Sequence, residues 1–475
     1  MRGYLASSIG VACAVALSLP LALPASATES LHESLSEPLR EAAADPSLRE
    51  TDLAGSTQSL PLKPLASDRA LGAGAAQGVV RQDVLPFALV GVVWDNPEAE
   101  LHGRVEVRTR AAETQEWSAW QELDTHNNEH AADLDSAERA GGRVRGSTAP
   151  LWVGDSDGVE VRVLAEAPEA AESGSGSGSG SDSHSHSDSG SDRAAVPPLP
   201  KNLRLELVDP GDEPTPPQGP PADGPRSVLT AEAAASWAVN AEMAPLGASV
   251  IPELTKEQTE AELLASRGES AGKPYIGPRP RIITRKGWGA DEKLREKNFV
   301  YTKAVRAAFV HHSASGNNYR CAQAPSVLRS IYRYHVKSSG WRDFGYNFAV
   351  DKCGNIYEGR AGGVAKPVYG AHTLGFNTNS MGIAVLGTYT NSAPPKAALN
   401  AVAKLSAWKL GLYGANPKGT TVLKSGGSNL YKKGKKVRLH VISGHRDGFA
   451  TECPGRHLYN KLGTARSTSA HYQGR

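Results

Sequence analysis

Apolar and polar residues alternate along short stretches in the first half of the chain. The stretches that show this period of two, or a short apolar run between turn residues, are 87–94, 103–109, 151–153, 158–163 and 203–208. One apolar face and one charged face are typical of half-buried antiparallel strands. The pattern predicts an all-β, sandwich-like domain over residues 83–208.

The second half of the chain mixes strand and helix patterns. Two apolar runs indicate buried strands, two stretches with apolar residues at helical spacing indicate helices, and two short segments around Lys-Cys-Gly indicate a β-hairpin. The two strands are predicted at 306–312 and 381–387, and the two helices at 325–335 and 397–410. The hairpin is predicted from the segments 345–351 and 355–360. This mixture predicts an α/β domain over residues 281–462, with a mixed central β-sheet flanked by helices and a short tail at 463–475.

Three other stretches lack a pattern that could bury a core. Residues 28–82 show no sustained period and are interpreted as a loosely structured leader. Residues 166–197 form a Gly/Ser-rich insertion, and residues 209–280 are rich in Pro and Ala. Such compositions behave as flexible coil. We therefore expect disordered linkers around and within the all-β domain.

The N-terminus resembles an export signal. Arg2 precedes an uncharged apolar run over 9–23, and Ala25-Ser26-Ala27 follows as a cleavage site. The run is shorter than the ~20 residues that a membrane span requires. The sequence thus predicts a signal peptide over 1–27, a secreted protein, and no membrane span after cleavage.

Charge is distributed unevenly along the chain. From residue 281 onward there are 31 Lys and Arg against 8 Asp and Glu, whereas the preceding residues hold 21 against 42. A basic exported domain favours an anionic partner, unless the two halves neutralise each other. The basic run 432–438 lacks interleaved aromatic residues, so no nucleic acid is expected. It is interpreted as a solvated loop or as a contact to anionic wall polymers.

Histidine and cysteine suggest the chemistry. His445 and Cys453 follow an apolar run and could supply two of the three protein ligands of a catalytic zinc ion. The third would be His311 or His312; alternation along a strand allows only one of them to face the metal, and the pattern does not say which. The remaining pair after signal cleavage, Cys321 and Cys353, is predicted to form a disulfide because exported proteins keep such bonds.

Six ordered motifs then carry a resemblance. They are residues 309–313, 341–348, 356–360, 370–372, 377–383 and 444–454. Together they look like the peptidoglycan recognition protein / N-acetylmuramoyl-L-alanine amidase family, which includes certain phage amidase-lysozymes. The resemblance covers about residues 281–462 and leaves the acidic first half of the chain outside it.

The resemblance implies a secreted, cell-wall-associated zinc amidase that cuts the bond between the muramic acid lactyl group and L-alanine of peptidoglycan. It implies one Zn²⁺ in the amidase domain, two catalytic residues and two substrate-binding residues. The ligands would be His311, His445 and Cys453, the catalytic residues Tyr346 and Thr451, and the substrate-binding residues His372 and Asn377.

Two questions stay open at this point. The family also contains recognition proteins that bind peptidoglycan without cutting it, and these typically lack the cysteine ligand. A non-catalytic recognition protein is therefore the alternative function. The role of the acidic first half is equally open, since it could target the wall, inhibit the basic domain or act as a spacer.

Overall fold

The N-terminal domain, which comprises the described residues 55–212, consists of antiparallel strands. The computed structural model describes residues 55–65, 76–127, 129–166, 197–212, 229–267 and 274–475. The strands of this domain are β1 (Ser56–Pro61), β2 (Lys63–Pro64), β3 (Ala76–Trp94), β4 (Gly103–Ala111), β5 (Gln121–Leu123), β6 (Gly146–Ser147), β7 (Leu151–Ala165) and β8 (Arg204–Asp209). They form one sheet in the order β1-β8-β3-β7-β4-β5, with β2 and β6 paired to β3.

Alternating valines form the core of this sheet. Val105, Val107, Val161 and Val163 are all buried, whereas the charged residues between them reach the surface. The all-β prediction therefore agrees with the structure. The described strands belong to one hydrogen-bonded sheet, in which β3 shifts register against β7 at several irregularities.

The C-terminal domain, which comprises the described residues 229–475, is centred on a mixed sheet. Its strands are β9 (Val250–Ile251), β10 (Ile282–Ile283), β11 (Ala307–His312), β12 (Phe348–Val350), β13 (Ile356–Glu358), β14 (Ser380–Val385), β15 (Thr420–Lys424), β16 (Lys436–His440) and β17 (Ile442–Gly444). Seven of them form the sheet β17-β11-β14-β12-β13-β10-β9, and β15 pairs with β16. Strands β17, β11, β14 and β12 run parallel, while β13 is antiparallel to β12, so the predicted mixed sheet is confirmed.

Helices flank this sheet as predicted. The α-helices of the chain are α1 (Ala137–Ala140), α2 (Ala231–Ala238), α3 (Lys256–Arg267), α4 (Arg285–Trp288), α5 (Ala324–Arg333), α6 (Lys396–Gly411), α7 (Arg456–Tyr459) and α8 (Leu462–Gln473). A π-helical turn, Tyr334–Ser338, continues α5. Val402, Leu405 and Trp408 of α6 are buried in one core with the sheet residues Ile383 and Val385.

The predicted disordered linker is wrong for residues 229–267 and 274–280. Helices α2 and α3 form there, and Ile251 pairs with Ile282 to extend the sheet of the C-terminal domain. Ile251 and Leu263 are buried in its core. The runs of large apolar residues here are only two residues long, namely Val250-Ile251, Leu263-Leu264 and Ile282-Ile283, so composition alone does not reveal the sheet edge that they form and cover.

The predicted leader and tail are also ordered where the structure describes them. Strand β1 pairs along its whole length with β8, although it lies inside the supposed leader 28–82. Helix α8, predicted as a tail, packs on α6 through a Ser469 hydroxyl that donates to the Ala403 carbonyl at 2.9 Å. The run 432–438, interpreted as a loop, is partly strand β16. These elements are stabilised by partners that are distant in the sequence, or they pack through small residues. Their local hydrophobic pattern is therefore weak.

Other predictions fall largely outside the described residues. These are the signal peptide at 1–27 and, apart from its two end residues, the insertion 166–197. Within the described part of the chain, no helix is long and apolar enough to cross a membrane.

The two domains share an apolar core and belong to one compact unit. Leu89, Trp152 and Val208 of the N-terminal sheet pack in one buried cluster with Ile331 and Tyr334 at the end of α5 and in the π-helical turn. We call this contact the anchor. The predicted picture of a domain on a flexible tether is therefore replaced by two packed domains.

Candidate metal and active site

The predicted metal ligands come from the ends of neighbouring parallel strands. Val310 of β11 is paired with Gly444 of β17, so His311 and His445, one residue further along each strand, lie side by side. A short 3₁₀ turn, His445–Asp447, then leads towards Cys453, whose carbonyl accepts from the Arg446 amide at 3.1 Å. The structure thus brings together the three residues that the sequence named.

A fourth residue joins them from the N-terminal domain. His130, His311, His445 and Cys453 each present one ligand atom, and these atoms lie within 4.8 Å of one another. His130 Nε2 lies 3.2 Å from His445 Nδ1, and Cys453 Sγ lies 3.7 Å from His311 Nδ1. The sequence did not single out His130.

The two shortest of these separations fit a tetrahedral zinc ion. Zinc–nitrogen bonds of about 2.05 Å and zinc–sulfur bonds of about 2.3 Å put two nitrogens about 3.3 Å apart and nitrogen and sulfur about 3.6 Å apart. The two distances observed here are close to both values. Two or three imidazoles with one thiolate are also a donor set that zinc accepts. The residues present therefore fit the metal that the family implies.

The pKa shifts of these residues are also compatible with metal binding. Burial, reinforced by the neighbouring imidazoles, lowers the pKa of His311 and of His445 well below the usual range, so both rings are neutral, as a metal ligand must be. Burial raises the pKa of the Cys453 thiol well above its usual value. A divalent cation beside the sulfur would favour the thiolate and offset that cost.

A hydroxyl orients the first histidine. Thr373 Oγ1 lies 3.3 Å from His311 Nε2 and 3.0 Å from His372 Nδ1. When His311 donates its Nε2–H to this hydroxyl, the lone pair of Nδ1, on the side of Cys453, is left to bind a metal ion. His312 is the alternative that the sequence left open. Its Nδ1 instead accepts a hydrogen bond from the Tyr389 amide at 3.3 Å.

The predicted catalytic residues lie beside this group. The Tyr346 ring is 5.3 Å from the His311 ring and 5.9 Å from the His130 ring, measured between centroids. Burial raises the pKa of Tyr346 well above its usual value, so the phenol is protonated at neutral pH. The Thr451 hydroxyl donates to Glu129 Oε1 at 2.7 Å and accepts from the Cys453 amide at 3.1 Å.

The predicted substrate-binding residues are buried in internal contacts. His372 is completely buried, with its ring centroid 5.3 Å from that of His311. Asn377 Oδ1 accepts from the His372 amide at 2.7 Å, and its Nδ2 donates to the Ala131 carbonyl at 2.9 Å. Asn377 therefore links the loop of His372 to the N-terminal domain.

The segment 129–140 of the N-terminal domain, which we call the covering segment, contacts several of these residues. It lies between strands β5 and β6 and includes helix α1. Besides His130 and Glu129, its Glu138 forms a buried two-pronged ion pair with Arg360, at 2.9 and 3.0 Å. Asp133 accepts from the Tyr369 hydroxyl at 2.9 Å.

The predicted disulfide is present between Cys321 and Cys353, whose Cα atoms are 6.2 Å apart. It joins the 3₁₀ turn that precedes α5 to the turn between β12 and β13. Among the described residues Cys453 is the free cysteine, and it is buried.

Fold and site together define a class of protein: a mixed α/β domain that carries a His/His/Cys group at the ends of parallel strands. Residues 301–456 match the family model described as N-acetylmuramoyl-L-alanine amidase. Residues 43–185 match one described as Rv3811 N-terminal galactose-binding domain-like.

The chain is also similar to individual known proteins. Peptidoglycan-recognition protein SC2 of Drosophila melanogaster is 31% identical over 185 residues, which are 38% of this chain and 85% of that protein. Human N-acetylmuramoyl-L-alanine amidase is 32% identical over 222 residues, covering 46% of this chain and 31% of that protein. The solved structure of Drosophila PGRP-LB wild-type is 27% identical, covers 39% of this chain and 93% of that one, and has a TM-score of 0.31.

The chain belongs to the peptidoglycan recognition protein / N-acetylmuramoyl-L-alanine amidase family. The predicted resemblance is therefore confirmed. The alignment covers most of the Drosophila relative but only about a third of the human amidase, and a separate family model matches residues 43–185.

Proposed function

We propose that this protein is a secreted zinc-dependent N-acetylmuramoyl-L-alanine amidase that acts on peptidoglycan. The observation that carries the proposal is the convergence of His311, His445 and Cys453 at adjoining strand ends. A purely recognising relative would not need a buried thiol at this position. The presence of Cys453 beside two neutral imidazoles therefore favours catalysis over recognition alone.

When bound by these three residues, zinc would supply a water of lowered pKa and polarise the scissile carbonyl. The chain's own groups would do the rest. Tyr346, protonated and beside His311, would hydrogen-bond the oxygen on which negative charge develops. A contact of that kind has been worth about 10²–10³ in rate. Thr373 would keep His311 in the tautomer whose Nδ1 faces the thiolate.

Thr451, His372 and Asn377 are proposed to act around this centre. The Thr451 hydroxyl, two residues before Cys453, would be a second donor near the reacting carbonyl once its bond to Glu129 is broken. His372 and Asn377 would form part of the wall that substrate contacts. The basic surface of the C-terminal domain would add electrostatic attraction to anionic wall polymers, which salt screens.

The proposal is tested by metal content and by the bond that is cut. The mature chain should bind one zinc, and it should release new α-amino groups of L-alanine from purified sacculi. A chelator and the Cys453→Ala variant should abolish that release, and Tyr346→Phe should slow it about 10²–10³-fold with zinc still bound. A chain that binds sacculi but releases no amino groups in any variant would instead be a recognition protein.

A further inference from the structure

The covering segment places a histidine of one domain among the metal ligands of the other. Resting on the proposed zinc amidase function, we propose that residues 129–140 are a built-in inhibitor, with His130 taking the fourth ligand position of the metal that a catalytic site leaves to water. The chain would be latent until this segment is withdrawn.

The position of His130 is that of a ligand. Its Nε2 is 3.2 Å from His445 Nδ1, and its ring centroid is 4.5 Å from that of His445 and 5.3 Å from that of His311. Only 5% of the residue is exposed. Its other ring nitrogen, Nδ1, is buried without a hydrogen-bond partner among the described residues. The ring is therefore buried with Nε2 beside the ligand group, and no hydrogen bond to a described residue holds it in another orientation.

A fourth protein ligand changes what the metal can do. Zinc sites with four protein ligands are closed and structural, whereas catalytic sites keep one position for water or substrate. With His130 bound, this position would no longer be available to an attacking water. The same three ligands that support hydrolysis would then hold an inactive metal.

The covering segment also blocks substrate. His311 and His445 have no exposed surface, and Tyr346 and Cys453 keep only 4% and 3%. The Thr451 hydroxyl, next to the site, is occupied by Glu129. A glycan strand with its stem peptide cannot reach the ligands or Tyr346 in this arrangement. Catalysis therefore requires that the segment move.

The contacts that hold the segment are polar. Asp133 accepts from the Gly375 amide at 2.7 Å and from Asn377 Nδ2 at 2.8 Å, and Glu138 is paired with Arg360. The largest apolar side chain of the segment, Leu134, is 46% exposed. Carboxylates and their donors can be rehydrated when they separate, whereas an apolar core cannot. The covering segment can therefore separate from the C-terminal domain while the anchor stays packed.

The test uses the full mature chain with Co²⁺ in place of zinc, because cobalt reports its coordination through its visible spectrum. The variants are His130→Ala and, as the matched control, His126→Ala, whose side chain is 86% exposed in the same loop. Azide serves as a probe that binds only where a ligand position can be exchanged. We expect azide to change the spectrum of His130→Ala and to leave the wild type and His126→Ala unchanged.

Zinc affinity gives a second readout that does not depend on turnover. Competition with a chelating dye should show zinc bound at least about tenfold more weakly by His130→Ala, since even groups outside the first ligand shell are worth that much. His130→Gln, which keeps a side chain of similar size, serves if the alanine variant fails to fold. A wild-type spectrum that responds to azide as strongly as the variant, or equal zinc affinities, would overturn His130 as a ligand.

The inhibitory role of the covering segment is tested in a separate experiment. Glu138→Ala keeps His130 but removes the partner of Arg360, and it should raise the rate of sacculus hydrolysis at least about tenfold, as His130→Ala should. Equal rates in wild type and both variants would overturn the inhibitory role. Failure of the zinc amidase proposal is recognised separately: the wild type would then take up no metal, or Cys453→Ala would leave the cobalt spectrum unchanged.

Discussion

Two of the regions in which the N-terminal domain contacts the C-terminal domain have opposite chemistry. At the anchor, Leu89, Trp152 and Val208 are buried against Ile331 and Tyr334. At the covering segment, carboxylates meet an arginine, a tyrosine hydroxyl and backbone amides. The first contact withdraws apolar surface from water, and the second exchanges one set of hydrogen bonds for another.

The difference in chemistry indicates different roles for the two contacts. Exposing apolar surface to water costs about 25 cal/mol per Å². We therefore expect the two domains to stay packed at the anchor. Hydrogen bonds to charged groups contribute about 1.5–3 kcal/mol each, but water can replace them on both sides when the covering segment opens, so its release exposes no apolar core. One domain can thus remain attached while one of its loops uncovers the site.

The largest effect on stability is expected from Tyr334→Ala at the anchor. Tyr334 is fully buried, and its hydroxyl donates to the Thr148 carbonyl at 3.1 Å. Removing a buried aromatic side chain costs about 3–5 kcal/mol, which should lower the denaturation midpoint of the full chain strongly. Tyr334→Phe, the matched control, should lose only about 1 kcal/mol. An unchanged midpoint in Tyr334→Ala would show that the anchor is not part of the core.

The disulfide should come next. Replacing Cys321 and Cys353 by Ser in one variant frees the start of α5 from the β12–β13 hairpin. The loss should be about 2–4 kcal/mol in the free energy of unfolding. Hydrogen exchange within residues 129–140 should stay as in the wild type, because the bond supports the anchor side alone. Faster exchange there would show that the two contacts are coupled.

Glu138→Ala should act on the covering segment rather than on the whole fold. Leaving Arg360 buried without its partner would cost about 3–5 kcal/mol, and opening of the segment avoids that cost by letting water reach the guanidinium. Amides of residues 129–140 should then exchange at least about tenfold faster, while the global denaturation midpoint falls less than in Tyr334→Ala. If the midpoint falls as far as in Tyr334→Ala, the segment is part of the core instead.

The smallest effect is expected from Asp135→Asn. Asp135 pairs with Lys433 at 2.6 Å across the same contact, but both side chains are about two-thirds exposed. Such pairs are worth about 0–1 kcal/mol, so neither exchange nor stability should change measurably. A large effect here would mean that long-range charge attraction, not the buried pairs, holds the segment in place.

The sequence predicted the C-terminal mixed sheet and three of the residues that converge in the His/Cys group, for physical reasons. Strand β11, which carries His311, and strand β17, which precedes His445, are fully buried and begin with apolar residues, so a short local window reveals them. Cys453 follows at a fixed spacing in the same loop. The choice of His311 over His312 came from the family resemblance, since alternation alone allowed either; in the structure Thr373 contacts His311 and the Tyr389 amide contacts His312.

His130 could not have been found in the same way. It lies in a loop with no hydrophobic period, outside the resemblance, and more than 170 residues before His311, the next member of the His/Cys group. Only the tertiary packing of the two domains brings it to the metal group. The one available signal was the opposite charge of the two halves, which allowed the possibility that they neutralise each other, and the Glu138–Arg360 pair is one such contact.

The most direct test of the account compares hydrolysis rates per bound zinc for the wild type, His130→Ala and the double variant His130→Ala/Cys453→Ala on purified sacculi. We expect a slow wild type, a His130→Ala variant at least about tenfold faster, and no release of L-alanine amino groups by the double variant. Equal rates per zinc in the first two, or activity that survives loss of Cys453, would contradict it.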